Sequence, residues 1–257
     1  MSTGVHAASG PLLTGGHAVV TGAANGIGRA VALRLRAQGV AVTAVDRDEA
    51  GLGDVVRAGA QPVVADLATE SGRQRVIDAG RGATSLVNAA GIIRLKPILD
   101  FTAEDIRDIY AVNVEAVWLL ISHIGRTMPE GGAIVNLSSV SARLATTQET
   151  AVYASSKTAV LSITRSFAYA FAPRGIRVNA VLPGIIDTPM QDTVLDRLAA
   201  IRGVTRAQIE DQRQATVPLG RAASPDECAG LICFLLSPDA AYLTGQAISQ
   251  DGGLAMW

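Results

Sequence analysis

The sequence predicts an α/β protein in which seven parallel strands form one doubly wound sheet with helices on both faces. Short, continuously apolar segments alternate with helical patterns, as a sheet covered on both faces requires. The predicted strands end in small or polar residues, and in such sheets these ends meet at one edge, where ligands bind. At 257 residues, 49% of them hydrophobic and 18% charged, the chain suits one large core. We find no linker or internal repeat, so a single domain is expected.

Composition argues against several classes of partner and site. The formal net charge is −1, without runs of like charge, which argues against nucleic acid or a membrane surface as partner. No apolar run reaches the ~18 residues of a membrane span. Cys228 and Cys233 lie in one apolar helical stretch, as reduced core residues of a cytoplasmic protein would. The three histidines lack metal-ligand spacing, so no metal site is expected among them. Residues 1–15 predict a flexible tail without a secretory signal, ahead of a domain at 16–257.

Each element follows from its local pattern. The first strand is the apolar run Ala18-Val19-Val20, and the apolar spacing after Gly28 predicts a helix that ends near Gly39. Further apolar runs predict strands at 40–45, 62–65, 85–87, 133–137, 177–181 and 247–249. Helices are predicted at about 71–79, 102–128, 152–171 and 225–236. Thr102 and Ser224 are good N-caps, because acidic residues follow each of them in the first turn.

Two features do not fit a simple sheet and its helices. The long helices 102–128 and 152–171 are apolar on more than one face, so something besides the sheet must bury them. Residues 188–216 are polar, with scattered apolar positions and no strand signal. An insertion of this kind is typically functional, and we expect a substrate lid in which Met190 and Val194 supply apolar contacts.

A glycine-rich turn at residues 21–28 joins the first strand to the first helix. Its glycines, Gly22, Gly26 and Gly28, let the backbone turn tightly and approach a pyrophosphate. The N-terminus of the following helix attracts such an anion. An ordinary strand-to-helix turn can be equally glycine-rich, and the spacing is not the common Gly-x-Gly-x-x-Gly. The turn alone therefore leaves phosphate binding open.

Asp46 is the candidate ribose-binding acid, since it follows Gly28 by 18 residues at the end of a strand. Its carboxylate can accept hydrogen bonds from both ribose hydroxyls and would repel a 2′-phosphate. A solvated turn aspartate is the alternative. Arg47 can clamp a 2′-phosphate, whereas Asn25 in the turn is not basic. On balance the pattern favours NAD over NADP.

Tyr153 and Lys157 are four residues apart near the start of a helix and share one face. We expect the lysine charge to lower the tyrosine pKa from about 10, which makes a base; an exposed surface pair is the alternative. Ser139 lies 14 residues before Tyr153 at a strand end, where it can meet a substrate oxygen, with Ser138 as its rival. Asn113 interrupts an apolar helix face and must find hydrogen-bond partners, which favours a role in a polar network.

Together these motifs resemble those of the short-chain dehydrogenase/reductase family over residues 17–253. The matching motifs are Thr21-Gly22-x-x-x-Gly26-Ile27-Gly28, Asn88-Ala89-Ala90-Gly91, Asn113, Ser139, Tyr153-Ala154-Ser155-Ser156-Lys157, Pro183-Gly184 and Asp251-Gly252-Gly253. The resemblance implies a Rossmann-like domain that transfers a hydride between a nicotinamide cofactor and an alcohol or ketone.

The resemblance also implies roles for the catalytic residues. Tyr153 would be the general base, and Lys157 would lower its pKa and hold the nicotinamide ribose. Ser139 would hydrogen-bond the reacting oxygen, since it fits the family spacing better than Ser138. Asn113 would hold a water molecule in the proton relay.

Cofactor contacts carried over from the family fall into three groups. Asp66 and Leu67 would contact the adenine. Asn88 and Gly91 would contact the adenosine-side ribose and the sheet edge. Ile186 and Thr188 would contact the carboxamide. The complete expected cofactor set is Gly22, Asn25, Gly26, Ile27, Gly28, Asp46, Arg47, Asp66, Leu67, Asn88, Ala89, Gly91, Tyr153, Lys157, Pro183, Gly184, Ile186 and Thr188.

Assembly and substrate are implied at two levels. The family commonly forms tetramers through the two long helices, which would explain their surplus apolar faces and predicts a homotetramer. The C-terminal tryptophan, Trp257, and the run 92–95 resemble bacterial polyol dehydrogenases, in some of which the C-termini of neighbouring subunits meet and bind Mg²⁺. The leading hypothesis is therefore an NAD-dependent polyol or sugar-alcohol dehydrogenase. A 3-oxoacyl-type reductase, a dihydrodiol dehydrogenase and a non-catalytic dinucleotide-binding regulator are the alternatives.

The helix between Asp66 and Leu86 is shorter than usual in the family, which is expected to loosen the adenine side of the cofactor site.

Overall fold

The computed structural model describes residues 16–145 and 147–256. The tail predicted at residues 1–15, and Trp257, lie outside the described residues. The strands are β1 His17–Thr21, β2 Ala41–Asp46, β3 Gln61–Val64, β4 Ser85–Asn88, β5 Ala133–Leu137, β6 Arg177–Pro183 and β7 Ala247–Gln250. All neighbours pair in parallel, in the order β3-β2-β1-β4-β5-β6-β7. This confirms the predicted seven-stranded, doubly wound sheet in a single Rossmann-like domain.

Helices cover both faces of the sheet. They are α1 Gly26–Ala37, α2 Gly53–Arg57, α3 Glu70–Ala79, α4 Ala103–Tyr110, α5 Val117–Thr127, α6 Ala151–Phe171, α7 Pro189–Arg202, α8 Arg206–Gln214 and α9 Pro225–Leu236. Alternate residues of β1 face opposite cores: Val20 packs with α1 and α9, and Val19 packs with α3, α5 and α6. Both side chains are fully buried, because a parallel sheet covered on both faces leaves no exposed side. No helix in the described ranges has both the length and the apolar character needed to cross a membrane.

The strand order positions the site. β1 lies between β2 and β4, so the chain winds outward in opposite directions on either side of β1 and β4, and a crevice opens at their carboxyl ends. The register aligns these ends, because Thr21 pairs with both Val45 and Asn88, and Asn88 pairs with Asn136. The strand-end motifs therefore converge on one edge, as the sequence predicts.

The helix predicted over 102–128 is not continuous. It begins at the Thr102 cap, where Asp105 completes a reciprocal capping box. A π-helical stretch, Ala111–Ala116, then separates α4 from α5. A π turn inserts an extra residue into the helix and rotates the faces on either side. The apolar residues that cover more than one face of a straight helix are thus divided between differently oriented segments, with Asn113 at the junction.

Residues 188–216 fold into α7 and α8, joined by a turn at Gly203. Their apolar residues Val194, Leu195, Leu198 and Ile209 form a small separate core with Leu95, which lies after β4. This core is distinct from the two sheet cores, so the segment is an added layer beside the carboxyl edge of the sheet.

Candidate active site

A single cleft of about 570 Å³ follows the carboxyl edge of the sheet from the ends of β2 and β3 to the lid helices. It collects residues from many segments that are distant in sequence. The sequence-predicted site residues that line it are Gly22, Asn25, Gly26, Ile27, Gly28, Asp46, Arg47, Asp66, Leu67, Ala89, Gly91, Ser139, Tyr153, Lys157, Pro183, Gly184, Ile186 and Thr188. Asn88 and Asn113 do not line it.

The glycine turn is required by packing within the protein itself. A Cβ on Gly22 would lie 2.8 Å from the backbone nitrogen of Ala90, and one on Gly28 would lie 2.1 Å from the carbonyl oxygen of Gly22. Only glycine permits such close approach. The tight turn places the N-terminus of α1 at the cleft, where its unpaired N–H groups can receive a phosphate.

Asp46 is anchored to that turn. Its Oδ2 accepts a hydrogen bond from the Ala24 backbone N–H at 3.1 Å, and its Oδ1 accepts one from Asp48 N–H at 3.1 Å. The carboxylate is thus fixed at the cleft wall, and each oxygen keeps a lone pair for a ligand hydroxyl. Arg47 is exposed on the same wall. Within the part of the chain that the structure describes, no carboxylate lies within 4 Å of Arg47.

Tyr153 and Lys157 occupy the first two turns of α6, and both are buried at the cleft, with exposures of 9% and 4%. The Lys157 ammonium lies 5.7 Å from the centroid of the Tyr153 ring and donates to the Leu137 carbonyl at 2.8 Å. Ser139, at the end of β5, lines the cleft beside Tyr153, and its hydroxyl influences the tyrosine pKa. The three side chains predicted from spacing therefore form one cluster.

The direction of the Tyr153 pKa corrects the sequence-based expectation. Burial raises the pKa of Tyr153 to about 12, and the neighbouring Ser139 hydroxyl offsets only part of this effect. Burial likewise lowers the pKa of Lys157 to about 8. A low-dielectric surrounding disfavours the charged form of either group. In the polypeptide alone, desolvation thus outweighs the attraction between ammonium and phenolate.

The two candidate serines have different partners. The Ser138 hydroxyl donates to the Lys157 carbonyl at 2.7 Å and is buried. It thereby anchors α6 to β5. The Ser139 oxygen accepts from the Ser141 backbone N–H at 3.2 Å and meets Tyr153. Ser139 is therefore the serine placed to act together with the tyrosine.

Asn113 has the hydrogen-bond partners that its buried position requires. Its Oδ1 accepts from Ile92 N–H at 2.9 Å, and its Nδ2 donates to the Ile92 carbonyl and to Ser156 Oγ, both at 3.0 Å. It is fully buried in the π-helical stretch. A Cβ on Gly91 would lie 3.4 Å from Asn113 Oδ1 and 3.3 Å from Lys157 Nζ. Asn113 thus lies behind the cleft wall and fixes the loop after β4.

The side chain of Asn88, one of the expected cofactor contacts, points away from the cleft, and its contact with a cofactor stays a prediction. Its Nδ2 donates to Asn136 Oδ1 at 2.8 Å, and Asn136 donates to Thr164 Oγ1 at 3.0 Å. All three residues are buried. The side chain of a strand-end residue can point along the sheet as well as out of it, and here it ties β4 to β5 and α6 instead of lining the cleft.

The C-terminal Asp-Gly-Gly motif also has an internal role. A Cβ on Gly184 would lie 2.7 Å from the Cα of Asp251. The Asp251 carboxylate accepts from the backbone N–H groups of Gly253 and Ala255, at 3.0 and 3.1 Å. This motif therefore secures the segment after β6. Residues 16–145 and 147–256 contain no group of three His, Cys, Asp or Glu side chains suited to a metal, and C-terminal Mg²⁺ binding stays a prediction.

Sequence reasoning missed much of the far end of the cleft. Met190 and Val194, the expected lid contacts, line it together with further side chains from the loops and lid helices. The apolar ones include Ile93, Val112, Val140, Ile185, Ile209 and Leu254, and the polar ones Gln191, Arg202, Gln212 and Arg213. No local motif marks the lid-helix residues among them, because these reach the cleft only when α7 and α8 fold beside it.

Comparison with known proteins agrees with this geometry. The family model described as enoyl-(acyl carrier protein) reductase matches residues 22–255. The (3R)-3-hydroxyacyl-CoA dehydrogenase of Mus musculus is 32% identical, and the match covers 93% of this chain and 96% of that protein. The galactitol 2-dehydrogenase (L-tagatose-forming) of Cereibacter sphaeroides is 34% identical, and the match covers 95% of this chain and 97% of that protein.

Solved structures extend the match to three dimensions. The crystal structure of a candidate NAD(P)-dependent gluconate 5-dehydrogenase from Beutenbergia cavernae, with NADP bound at low occupancy, has a TM-score of 0.84 at 35% identity. The match covers 95% of this chain and 99% of that one. With its fold, its glycine turn and its serine, tyrosine and lysine at one sheet edge, the chain belongs to the short-chain dehydrogenase/reductase family of oxidoreductases.

Proposed function

We propose that this chain is an NAD-dependent dehydrogenase that interconverts a secondary alcohol and its ketone. The observation that carries the proposal is the meeting of Tyr153, Lys157 and Ser139 with the glycine turn in one cleft. A protein that only binds a dinucleotide needs no such proton-transfer cluster, which argues against the regulator hypothesis.

The cleft suits a dinucleotide at several points. The α1 N-terminus can receive the pyrophosphate, and the anchored Asp46 carboxylate can accept from the adenosine ribose hydroxyls. Asp66 and Leu67 provide an adenine wall at the end of β3. When bound, a nicotinamide cofactor supplies the hydride acceptor or donor and, in its oxidised form, a positive charge. NAD rather than NADP is proposed because the carboxylate of Asp46 repels a 2′-phosphate. Arg47 opposes this preference, since its guanidinium can pair with the same phosphate.

Proton transfer falls to the chain's own residues. In alcohol oxidation, Tyr153 takes the hydroxyl proton at its phenolate oxygen, and Ser139 hydrogen-bonds the same substrate oxygen. The Lys157 ammonium stabilises the phenolate. Since burial raises the pKa of Tyr153 to about 12 even with Lys157 beside it, the positive charge of the oxidised cofactor would also be needed to bring the pKa into a useful range.

The substrate class has two candidates. A polyol or sugar alcohol follows from the C-terminal resemblance, and a relative named galactitol 2-dehydrogenase agrees with it. The aliphatic wall at the far end, including Ile93, Val140 and Met190, instead favours a less polar alcohol. This second candidate corresponds to a 3-oxoacyl-type or dihydrodiol substrate, and a relative is named as a hydroxyacyl-CoA dehydrogenase.

A cytoplasmic homotetramer is the proposed assembly. Trp118 on α5 and Tyr169 on α6 are 48% and 88% exposed, although both are large aromatic residues. Trp118 packs edge-on against Phe167, with ring centroids 5.0 Å apart. An aromatic surface of this kind on the two long helices is typical of an interface between subunits.

The test is a turnover assay with NAD and NADP on polyols, 3-hydroxyacyl thioesters and cyclic dihydrodiols. We expect NAD-dependent oxidation in one of these classes, with loss of turnover in Tyr153→Phe. Absence of turnover throughout, with NAD still bound, would support the non-catalytic regulator instead.

A further inference from the structure

At the lid end of the cleft, the described residues leave one cation without a counter-charge. Arg213, on α8, lines the far end, and its Nε is buried without a hydrogen-bond acceptor in the part of the chain that the structure describes. Its one side-chain hydrogen bond there is a donation from Nη2 to Gln191 Oε1 at 3.3 Å. Over the same residues, no carboxylate lies within 4 Å of it. Arg213 as a whole is half-buried, but a buried Nε without an acceptor is unfavourable, so a partner is expected.

The neighbouring arginine shows the contrast. Arg202, on α7, is paired with the buried Glu149 through two hydrogen bonds of 3.1 Å and also donates to Thr147 Oγ1 at 2.8 Å. Glu149 therefore satisfies Arg202. Burial first, and then repulsion from Arg202, lowers the pKa of Arg213. Two guanidinium groups thus share this end of the cleft with one carboxylate.

Four acids, Asp187, Asp192, Glu210 and Glu227, line a neighbouring cavity together with Arg213, but among the described residues none of their carboxylates lies within 4 Å of its guanidinium. Glu210, one turn earlier on α8, accepts from Gln214 Nε2 at 3.2 Å. Asp192, on α7, pairs with Arg206. The carboxylates that line the cleft among the described residues are Asp46 and Asp66, at the ends of β2 and β3, on the opposite side from the lid. The far end is therefore lined by apolar side chains, neutral amides and two arginines, and Arg213 is the arginine without a carboxylate partner among the described residues.

We infer that Arg213 binds a carboxylate of the substrate, and that the enzyme acts on a secondary alcohol whose apolar body carries one carboxylate. The planar guanidinium can donate two parallel hydrogen bonds to a carboxylate. One unmatched charge suits a carboxylate better than a phosphate monoester, which carries nearly two charges. The aliphatic wall suits the apolar body. This inference rests on the proposed function and narrows its substrate class, since a neutral polyol would leave Arg213 unpaired.

The test uses matched probes that differ in one charge. They are 3-hydroxybutyrate, 3-hydroxycyclohexanecarboxylate, cyclohexanecarboxylate and benzoate, each beside its primary amide. Dissociation constants are measured by NMR titration of the enzyme saturated with NADH, which cannot accept a hydride from the alcohol probes, so that binding is read without turnover. We expect at least one carboxylate to bind tenfold or more tightly than its amide, because an Arg–carboxylate pair in a desolvated site is charge-assisted.

Variants assign the preference to one residue. Arg213→Gln should abolish the preference by raising the carboxylate Kd, with the amide Kd as internal reference, and Arg213→Lys should retain part of it. Arg197→Gln is the matched control, because Arg197 is exposed on α7 and lies outside the cleft; it should keep the full preference. Thermal melting of each variant checks folding.

The outcomes separate the two proposals. Equal affinities of wild type for every acid and its amide, or a preference that survives in Arg213→Gln, would overturn the role of Arg213. A chain that binds NAD and carboxylates but oxidises no alcohol would overturn the proposed function and leave the Arg213 result standing. Oxidation of neutral alcohols with no carboxylate preference would support the proposed function and overturn the role of Arg213.

Discussion

Replacement of Lys157 by methionine should stabilise the protein at neutral pH while abolishing catalysis. Lys157 is 4% exposed, and burial lowers its pKa to about 8 from an ordinary 10.5. Below pH 8 the native state must hold a buried ammonium that the unfolded chain keeps in water. This difference in pKa corresponds to about 3 kcal/mol at pH 7.

The net effect is smaller because Lys157 also donates to Leu137. Methionine removes the charge at similar length but leaves that carbonyl without its partner, at a cost of about 1 kcal/mol. We therefore expect Lys157→Met to be about 2 kcal/mol more stable than wild type at pH 7. An active-site residue whose removal stabilises the fold is a known form of trade-off between stability and activity.

The sign of the pH dependence follows from linkage. Between pH 8 and 10.5 the native lysine has lost its proton while the unfolded lysine still holds one, so wild-type stability rises with pH in this window. The advantage of Lys157→Met should shrink by about 2 kcal/mol between pH 7 and pH 9.5. Below pH 8 it should stay constant.

The assay is urea unfolding at pH 7.0 and 9.5, followed by circular dichroism without cofactor and at one protein concentration. Lys96→Met is the matched control, since it removes the chain's only other lysine. Lys96 lies 2.5 Å from Asp105 and holds the pKa of that carboxyl down to about 2. Loss of this ion pair in Lys96→Met should lower the free energy of unfolding at both pH values. A Lys157→Met variant less stable than wild type at pH 7, or a pH-independent gain, would refute the reasoning.

Four further outcomes are expected. Tyr153→Phe should retain NAD binding by fluorescence titration and lower turnover about 10²- to 10⁴-fold; near-normal turnover would remove it as the base. Wild type should prefer NAD to NADP about ten- to several-hundred-fold in kcat/KM, and Asp46→Ala should narrow this; equal use of both cofactors would mean that Arg47 dominates. Light scattering should give a tetramer mass that Trp118→Asp reduces, and a wild-type monomer at micromolar concentration would contradict the interface. Hydrogen exchange at 188–216 should slow when NAD and substrate bind, whereas unchanged protection would argue against a lid.

Local signals were enough for the architecture and for most of the cleft. Apolar runs and turn residues depend on neighbours along the chain, so they predict the strands, the glycine turn and the Thr102 cap directly. Parallel strands then bring their carboxyl ends to one edge whatever the details of packing. This is why Asp46, Ser139 and Tyr153, chosen from motif spacing, meet in one cleft.

Tertiary packing decided how individual side chains behave there. The π turn at Asn113 and the inward hydrogen bond of Asn88 depend on partners far along the chain. The raised pKa of Tyr153 comes from burial by several elements, which no four-residue spacing reveals. Arg202 and Arg213 are both lid arginines, and only the fold pairs one with Glu149 and leaves the other without a carboxylate within the described residues. Burial and charge pairing are non-local, so the sequence determined where chemistry can occur, and the structure determined which groups are charged, paired or free to bind.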